Sequence, residues 1–513
     1  MNRHGRTCSF FIGLSVIITA LLAGCYHNRP PAEAQMLRER VIPPALPTSQ
    51  PSSAPAKGIT RRKALLLKGK ITLEDAVRIA LANNHTLRLA RQDVNIASKV
   101  VYTAAALFLP HVSASYGYDI RDREVQAGFG GTTFPTAEKE FQRAELKIQM
   151  MICDFGRTLG KYEQALLAKQ IADLRCKRIE QTVTYQVVRA YFNVLRALKF
   201  ARVANEAVKQ AQSHLAIAKS LYRNGVVDKN DVLRAEVHLA EVRQRLISAE
   251  NAVKLATSSL NSTMGINVNY PTEVADITTP PKCDTDLLAA LRKAVAHRPE
   301  LVIVQKYIQL EQAGIMSTRG ELLPKIYVSG SLNRLDDKYQ VHKNSAIMEL
   351  GISMDIFAGG RRIAEYQIAK MRRRKAVENA KQVCDGIALE VKQATLAVIE
   401  AKKRLIVAEK AVAQAAENLR LMHNKYKQAT ATATDLLDAE TLSTRTQNNY
   451  YATLYDLIVA VKRLQLATGT ISQFGLPGAK KQKAQHKDTQ PEKTTQSGPV
   501  GNKSTLPEKE KAK

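Results

Sequence analysis

The chain has 513 residues, a formal charge of +29, 45% hydrophobic residues, 5% aromatic residues and no Trp. Its length alone would suggest about three domains, yet Ala-rich runs with few bulky anchors fit long helices better than a compact enzyme core. The basic balance raises nucleic acid as a partner, but Lys and Arg are spread along the chain, with a local excess after Pro477. No recognition helix, zinc spacing or RNA-binding signature accompanies them, so no nucleic-acid partner is expected.

Residues 1–24 read as an export signal. Arg3, His4 and Arg6 give a positive start, and Phe10 to Leu22 is an apolar run too short to span comfortably as a helix. The run ends Leu22-Ala23-Gly24-Cys25, which resembles the bacterial lipobox; cleavage there leaves Cys25 at the new N-terminus for acylation. Tyr26 follows, where an aspartate would favour retention at the inner membrane. More than one acyl chain makes such an anchor stable. Residues 25–70 form a tether: Pro30-Pro31, Pro43-Pro44, Pro47, Pro51 and Pro55 favour an extended chain. The other cysteines are far apart, with no C-x-x-C, so neither a disulfide framework nor a metal site is expected.

A folded unit begins at Ile71-Thr72-Leu73-Glu74-Asp75-Ala76. Thr72 suits an N-cap, with Asp75 in the place of the capping-box acid, and apolar residues at helical spacing carry the helix to about Leu107. After Leu109-Pro110 the period changes to two: Val112, Ala114, Tyr116, Tyr118 and Ile120 alternate with polar or small residues. A polar, Gly-rich loop follows, and then Ala144, Leu146, Ile148, Met150 and Ile152 alternate in the same way. Two strands of about ten residues, joined as a hairpin, have the length that tilted strands need to cross a membrane. From Arg157 the chain reads as a helix of some 65 residues, with Leu159, Tyr162, Leu166, Leu174, Val183, Val187, Tyr191, Leu195 and Leu198 as its apolar seam. A turn around Asn224-Gly225 and a return helix to Gly265 complete the unit.

The unit then repeats. A shift of about 204 positions superposes Gly156/Gly360, Arg157/Arg361, Tyr222/Tyr426, Asp231/Asp435, Glu236/Glu440 and Gly265/Gly469, which identifies an internal duplication. Residues 71–283 form the first repeat and 284–476 the second. In the second, Leu287 to about Gly320 is the short helix, Ile326 to Leu332 the third strand, and Met348, Leu350, Ile352, Met354 and Ile356 the outer face of the fourth. Upstream of the hairpins the offset is about 214, so about ten extra residues lie in the first hairpin, in a loop expected outside any barrel. Residues 477–513 read as a disordered Lys-rich tail. Four strands cannot survive alone in lipid, because open edges leave backbone groups without partners. Several copies must share one barrel, and their helices would continue it as a tube, a conduit across outer membrane and periplasm.

In this order and duplication the chain resembles the TolC-like outer-membrane efflux protein family. The resemblance covers about Ile71 to Gly475 and rests on Leu109-Pro110 and Leu323-Pro324, Asp154-Phe155-Gly156-Arg157, Gly359-Gly360-Arg361-Arg362, Arg298-Pro299-Glu300-Leu301 and the tip from Asn224 to Leu233. The lipobox and tether resemble its lipoprotein branch. The resemblance implies a mixed α and membrane β fold: duplicated long helical hairpins forming a periplasmic tunnel, and two β-hairpins per chain in a trimeric, twelve-stranded outer-membrane barrel. It implies a homotrimer in outer-membrane lipid, working with a periplasmic adaptor (a membrane fusion protein) and an inner-membrane pump, and no cofactor or metal.

The resemblance also assigns the entrance. Asp435 and Asp438, three apart on one helix face, match acidic residues at the periplasmic constriction; Asp435 also suits a helix N-cap. Tyr426 and Asp231 match positions whose polar contacts keep the entrance shut, although the arginine expected beside them is Ala431. Gly225, Val232, Leu233, Leu436 and Leu437 fall at the adaptor-docking tips, where the leucines also suit the core of the hairpin. Ala429 replaces Gly225 in the second tip, so the two docking grooves are expected to differ. His111, His297 and His423 lack metal-ligand spacing and no catalytic constellation is seen, so no enzyme is expected. The main alternative is a lipid-anchored coiled-coil scaffold of the envelope without transport, which predicts no lipid-facing strands.

Overall fold

The computed structural model describes residues 69–277, 279 and 283–471. Cys25 with its signal, the tether as far as residue 68 and the Lys-rich tail lie outside the described residues. Helices α1 (Leu73–Asn83) and α2 (His85–Ala105) lead through a 3-10 turn into β1 (His111–Ile120). Strands β2 (Val125–Phe129), β3 (Thr132–Ala137) and β4 (Glu140–Cys153) follow, then the long helix α3 (Arg157–Arg223) and its return α4 (Lys229–Met264). The second repeat gives α5 (Leu287–His297), α6 (Pro299–Gly320), β5 (Lys325–Asp336), β6 (Asn344–Ser353), α7 (Arg361–Lys427) and α8 (Ala433–Ala467). Both long helices have 67 residues, or about 100 Å each.

The sheet has the order β1-β4-β5-β6, antiparallel throughout. Its register aligns the alternation of all four strands. Val112 lies opposite Ile148, Ile148 opposite Gly330, and Gly330 opposite Met348. The next rows join Ala114, Leu146, Leu332 and Ala346 on one side, and Met150, Val328 and Leu350 on the other. One face is therefore continuously apolar, and it is open: Val112 is 60% exposed, Leu350 74% and Met348 85%. Such a patch marks a contact with lipid or protein. The opposite face carries Ser113, Lys147 and Ser331, with Ile347 as the exception at the end of that row. Among the described residues no helix is long and apolar enough to cross a membrane.

Several expectations need correction. The Gly-rich loop of the first hairpin holds its own two-stranded sheet, β2 with β3, because Val125 to Ala137 is short, β-branched in part and interrupted by Gly130-Gly131, which suits a tight turn. The fourth strand ends at Ser353, so Met354 and Ile356 lie beyond it. The seam of α3 is buried from Val183 to Leu195, whereas Leu159 and Leu198 are exposed.

The short helix of each repeat is in fact two helices, and the break is a joint. Asn84 leaves the helical region (ψ 129°); its Oδ1 accepts from the Leu87 amide at 3.2 Å, and its Nδ2 donates to the Thr263 carbonyl at 2.8 Å. In the second repeat Arg298 makes the break (ψ 120°), the extended conformation that a following proline favours. Its guanidinium donates to the Ala467 carbonyl at 3.2 Å, Glu390 at 2.6 Å and Glu300 at 2.8 Å. Both joints rest on the C-terminus of the return helix, where Gly265 (φ 74°) and Gly469 (φ 73°) sit against the backbone of Asn83 and His297. A Cβ at Gly265 would lie 2.6 Å from the Asn83 carbonyl oxygen, and one at Gly469 2.7 Å from that of His297.

The core between the repeats is aromatic. Tyr191 is fully buried, its hydroxyl 2.6 Å from the Ala275 carbonyl and 3.0 Å from that of Ile71, and its ring leads through Phe192 to Tyr455 of α8. Ile71 and Val274 form a parallel bridge there, closing the first repeat on itself. The second repeat packs Ala290 and Ala294 of α5 against Val391, Val398, Leu457 and Val461.

Gly265→Ala is expected to lower stability by about 2 kcal/mol or more, since it adds a left-handed alanine and a backbone clash. Gly225→Ala, where no atom lies within 4 Å, should cost only about 1 kcal/mol. Thermal unfolding followed by circular dichroism checks the order, and equal losses would refute the role given to the joint.

Candidate functional site

The two helical hairpins end in tips of the same backbone. At the first, the Gly225 amide donates to Tyr222 and the Val226 amide to Leu221; at the second, Ala429 donates to Tyr426 and Thr430 to Lys425. Each is a Schellman ending, which needs a left-handed residue at its hinge. Gly225 takes φ 71° and Ala429 takes φ 56°. The substitution that suggested different grooves therefore leaves the backbone alike and adds a methyl group in a conformation that costs an alanine about 1 kcal/mol. What differs is the helix start. Asp228 caps α4 without a side-chain hydrogen bond, whereas Thr432 caps α8 in a complete capping box.

Asp435 is the acid of that box, not its N-cap. Its amide donates to Thr432 Oγ1 at 3.2 Å, and its Oδ2 accepts from the Thr432 hydroxyl at 2.7 Å and from the Thr432 amide at 3.0 Å. These bonds, the hydroxyl first, hold its carboxyl below the usual aspartate range. The carboxylate stays exposed, and Asp438, one helical step further on, is exposed as well.

Tyr426 is buried at 1% exposure and packs with Ala433, Leu436, Ile217 and Leu221. Its hydroxyl makes no hydrogen bond, as the absence of the expected arginine, with Ala431 in its place, leaves it without that partner. Burial first, and then the Asp231 carboxylate, push its pKa up. Leu436, expected among the docking residues, is fully buried and presents no surface to a partner. Gly225 and Leu233 are exposed, and Val232 and Leu437 are half-buried.

An arginine of the other hairpin does reach the second tip. Arg234 of α4 donates from Nη1 to Thr434 Oγ1 of α8 at 3.0 Å, across the gap between the two tips. Arg234 is the repeat partner of Asp438, a relation visible in the sequence; its pairing with Thr434 is not, since it joins different repeats. Nearer the body of the hairpins, His214 of α3, His238 of α4 and Glu440 of α8 meet in a buried cluster that spacing did not single out.

The family model described as outer membrane efflux protein matches residues 76–266 and 290–470. The outer membrane efflux protein BepC of Brucella suis biovar 1 (strain 1330) is 22% identical over 437 residues, covering 82% of this chain and 93% of BepC. A Salmonella typhimurium protein described as a probable outer membrane lipoprotein, SilC, is 22% identical over 394 residues, 72% of this chain and 79% of SilC. In fold, the chain is similar to the Campylobacter jejuni CmeC outer membrane channel, with a TM-score of 0.69 at 15% identity, covering 83% of this chain and 94% of that one. The alternating, apolar-faced strands tell against a purely coiled-coil scaffold. The chain therefore belongs to the outer membrane efflux protein family, and it is an efflux duct of the outer membrane.

Proposed function

We propose that three copies of this chain close one twelve-stranded barrel, and that their helical hairpins continue it as a periplasmic tunnel. An inner-membrane pump and a periplasmic adaptor would feed that tunnel at the tips. The four-stranded sheet is the observation that carries this reading. Its apolar face suits lipid, but β1 and β6 are edges, and lipid offers no partner for edge N–H and C=O groups. Strand directions alternate across the sheet, so β6 of one copy meets β1 of the next in antiparallel sense. Two copies would give eight strands, whose interior side chains fill; three leave a lumen.

At the periplasmic end, threefold symmetry would gather Asp435 and Asp438 of each copy into a narrow acidic mouth, which attracts cations and resists closer approach of the carboxylates. The capping box fixes where Asp435 points, so its structural and electrostatic roles coincide. Gly225, Val232, Leu233 and Leu437 offer the accessible part of the tips to an adaptor. Tyr426 and Leu436 support that surface from inside, with Asp231 beside Tyr426. At the other end, Cys25 would carry the lipid; SilC's description as a probable lipoprotein supports this. The proposed repeat limits, 71–283 and 284–476, assign one β-hairpin and one helical hairpin to each half.

Planar-bilayer recording of the purified protein tests the duct. Wild type should give a small, cation-selective conductance, and Asp435→Ala/Asp438→Ala should raise it by about twofold or more while its selectivity falls. An unchanged conductance would return both aspartates to a purely structural role. Growth with a labelled fatty acid tests the anchor: label should appear on wild type and vanish from Cys25→Ser, and equal labelling of the two would remove Cys25 from the reading.

A further inference from the structure

The cluster near the tips is built from both repeats. His214 is 1% exposed, and neither of its ring nitrogens has a hydrogen-bond partner. Glu440 Oε2 lies 4.0 Å from His214 Nδ1 and 3.3 Å from His238 Nε2, and it too is without a hydrogen bond. The ring of Tyr426 closes the pocket edge-on, 5.0 Å from that of His214. Four long helices, α3, α4, α7 and α8, thus each contribute one side chain to this point.

The duplication supplies an internal comparison. At the matching positions of the first hairpin, Lys219 and Glu236 form an ordinary exposed ion pair at 2.8 Å. Their repeat partners are His423 and Glu440. Glu440 has left the surface and turned to the two histidines of the other hairpin. A permanent cation has been replaced by groups whose charge depends on pH.

We propose that His214, His238 and Glu440 form a proton-sensitive clasp between the two helical hairpins, which holds the periplasmic tips together at neutral pH and releases them on acidification. The net charge of the site governs its response to protons. One proton shared by two imidazoles and a carboxylate leaves the buried site neutral. A second proton leaves a net positive charge, which burial penalises.

The groups facing His214 are Glu440 from α8, His238 and Asp231 from α4, and His423 and Tyr426 from α7. Burial, the largest influence, lowers the His214 pKa; Glu440 raises it, His238 and His423 lower it, and Asp231 raises it. The sign follows. A histidine whose pKa is depressed in the closed state binds its proton better in the open one, so the clasp is at full strength above about pH 6.5, the ordinary histidine value. It weakens as pH falls below that, by up to about tenfold per pH unit for His214. Because α8 is held to α3 and α4 at this cluster, its release leaves the tips that carry Asp435 and Asp438 joined only by the Arg234–Thr434 contact and the apolar packing of Tyr426 and Leu436 on Ile217 and Leu221, a weaker hold. The functional meaning rests on the duct reading above.

Hydrogen exchange of the full-length protein reads the clasp directly. Corrected for intrinsic rates, exchange in peptides covering 210–218 and 436–444 should rise up to about tenfold between about pH 7.5 and about pH 5.5 in wild type. His214→Gln and, independently, His238→Gln should flatten the response, since each leaves a site that one proton satisfies. Exchange that ignores pH in wild type, or that rises on acidification in both variants as much as in wild type, would overturn the proposal. Conductance of the same samples separates the two readings. An exchange response with no conductance at either pH keeps the clasp and removes the duct, whereas conductance without an exchange response removes the clasp alone.

Discussion

A sheet in lipid has no water to satisfy its edges. With β1 and β6 free to pair outward, the sheet of one chain is a fragment of a closed wall, and most of the remaining architecture answers to that. The apolar face needs all four strands in one register, and the rows through Val112, Ile148, Gly330 and Met348 supply it. The long helices leave from the ends of β4 and β6, so a ring of strands carries a ring of helices. Each helix must then be held at an angle set by the strand above it. The double short helices perform that task, with α2 packed along α3 and α6 touching both α3 and α7.

Duplication supplied two equal halves, and the differences between them show where each is specialised. The joint in the first half is a neutral Asn84, which both caps α2 and reaches the Thr263 carbonyl. In the second half Arg298 reaches the equivalent carbonyl of Ala467 and adds Glu300 and Glu390, with Arg178 of α3 joining Glu300 at 2.7 Å. The second joint therefore also ties the second repeat to the long helix of the first. A buried ionic network of this kind contributes little net stability, but it is costly to break once formed, so its geometry is well determined. At the tips the divergence runs the other way: backbone geometry is kept, even with Ala429 in a glycine position, while the side chains change.

Sequence reading recovered what periodicity encodes. Alternation marked all four sheet strands, because lipid-facing and lumen-facing positions follow the pleat, and the length of α3 was read from Arg157 to the Asn224-Gly225 turn and carried to α7 by the duplication. It missed the breaks at Asn84 and Arg298, since apolar residues continue at helical spacing on both sides; the Arg298-Pro299 step was nevertheless there to be read. The β2–β3 hairpin was missed because a short, polar, exposed strand pair has no buried face to impose a pattern. At the site, Asp435 and Asp438 were singled out by the family resemblance, and the structure shows both of them exposed on the second tip. The burial of Leu436 agrees with the core role that the tip leucines also suited, whereas that of Tyr426 was not legible, because it depends on Ile217 and Leu221 of the other hairpin. The His214–His238–Glu440 cluster was illegible for the same reason: its members lie on three helices and share no local spacing.

The proposed mouth and the proposed clasp would be separable because they ionise differently. Asp435 accepts from Thr432, and those bonds hold its carboxyl below the usual range, so its charge persists well below the pH at which histidines begin to gain protons. His214 is displaced in the same direction for another reason, burial, and there the consequence is mechanical: the proton it resists in the closed state is one it binds once the helices part. Mild acidification would therefore loosen the contact between the hairpins while leaving the Asp435 carboxylates around the entrance charged. Their mutual repulsion, which closed tips must oppose, would then act on tips that the clasp no longer holds. Capping box and buried histidine sit within a few turns of each other on α3 and α8, and together they would give the end of the tunnel a restraint that a proton weakens and a separating force that the same proton leaves in place.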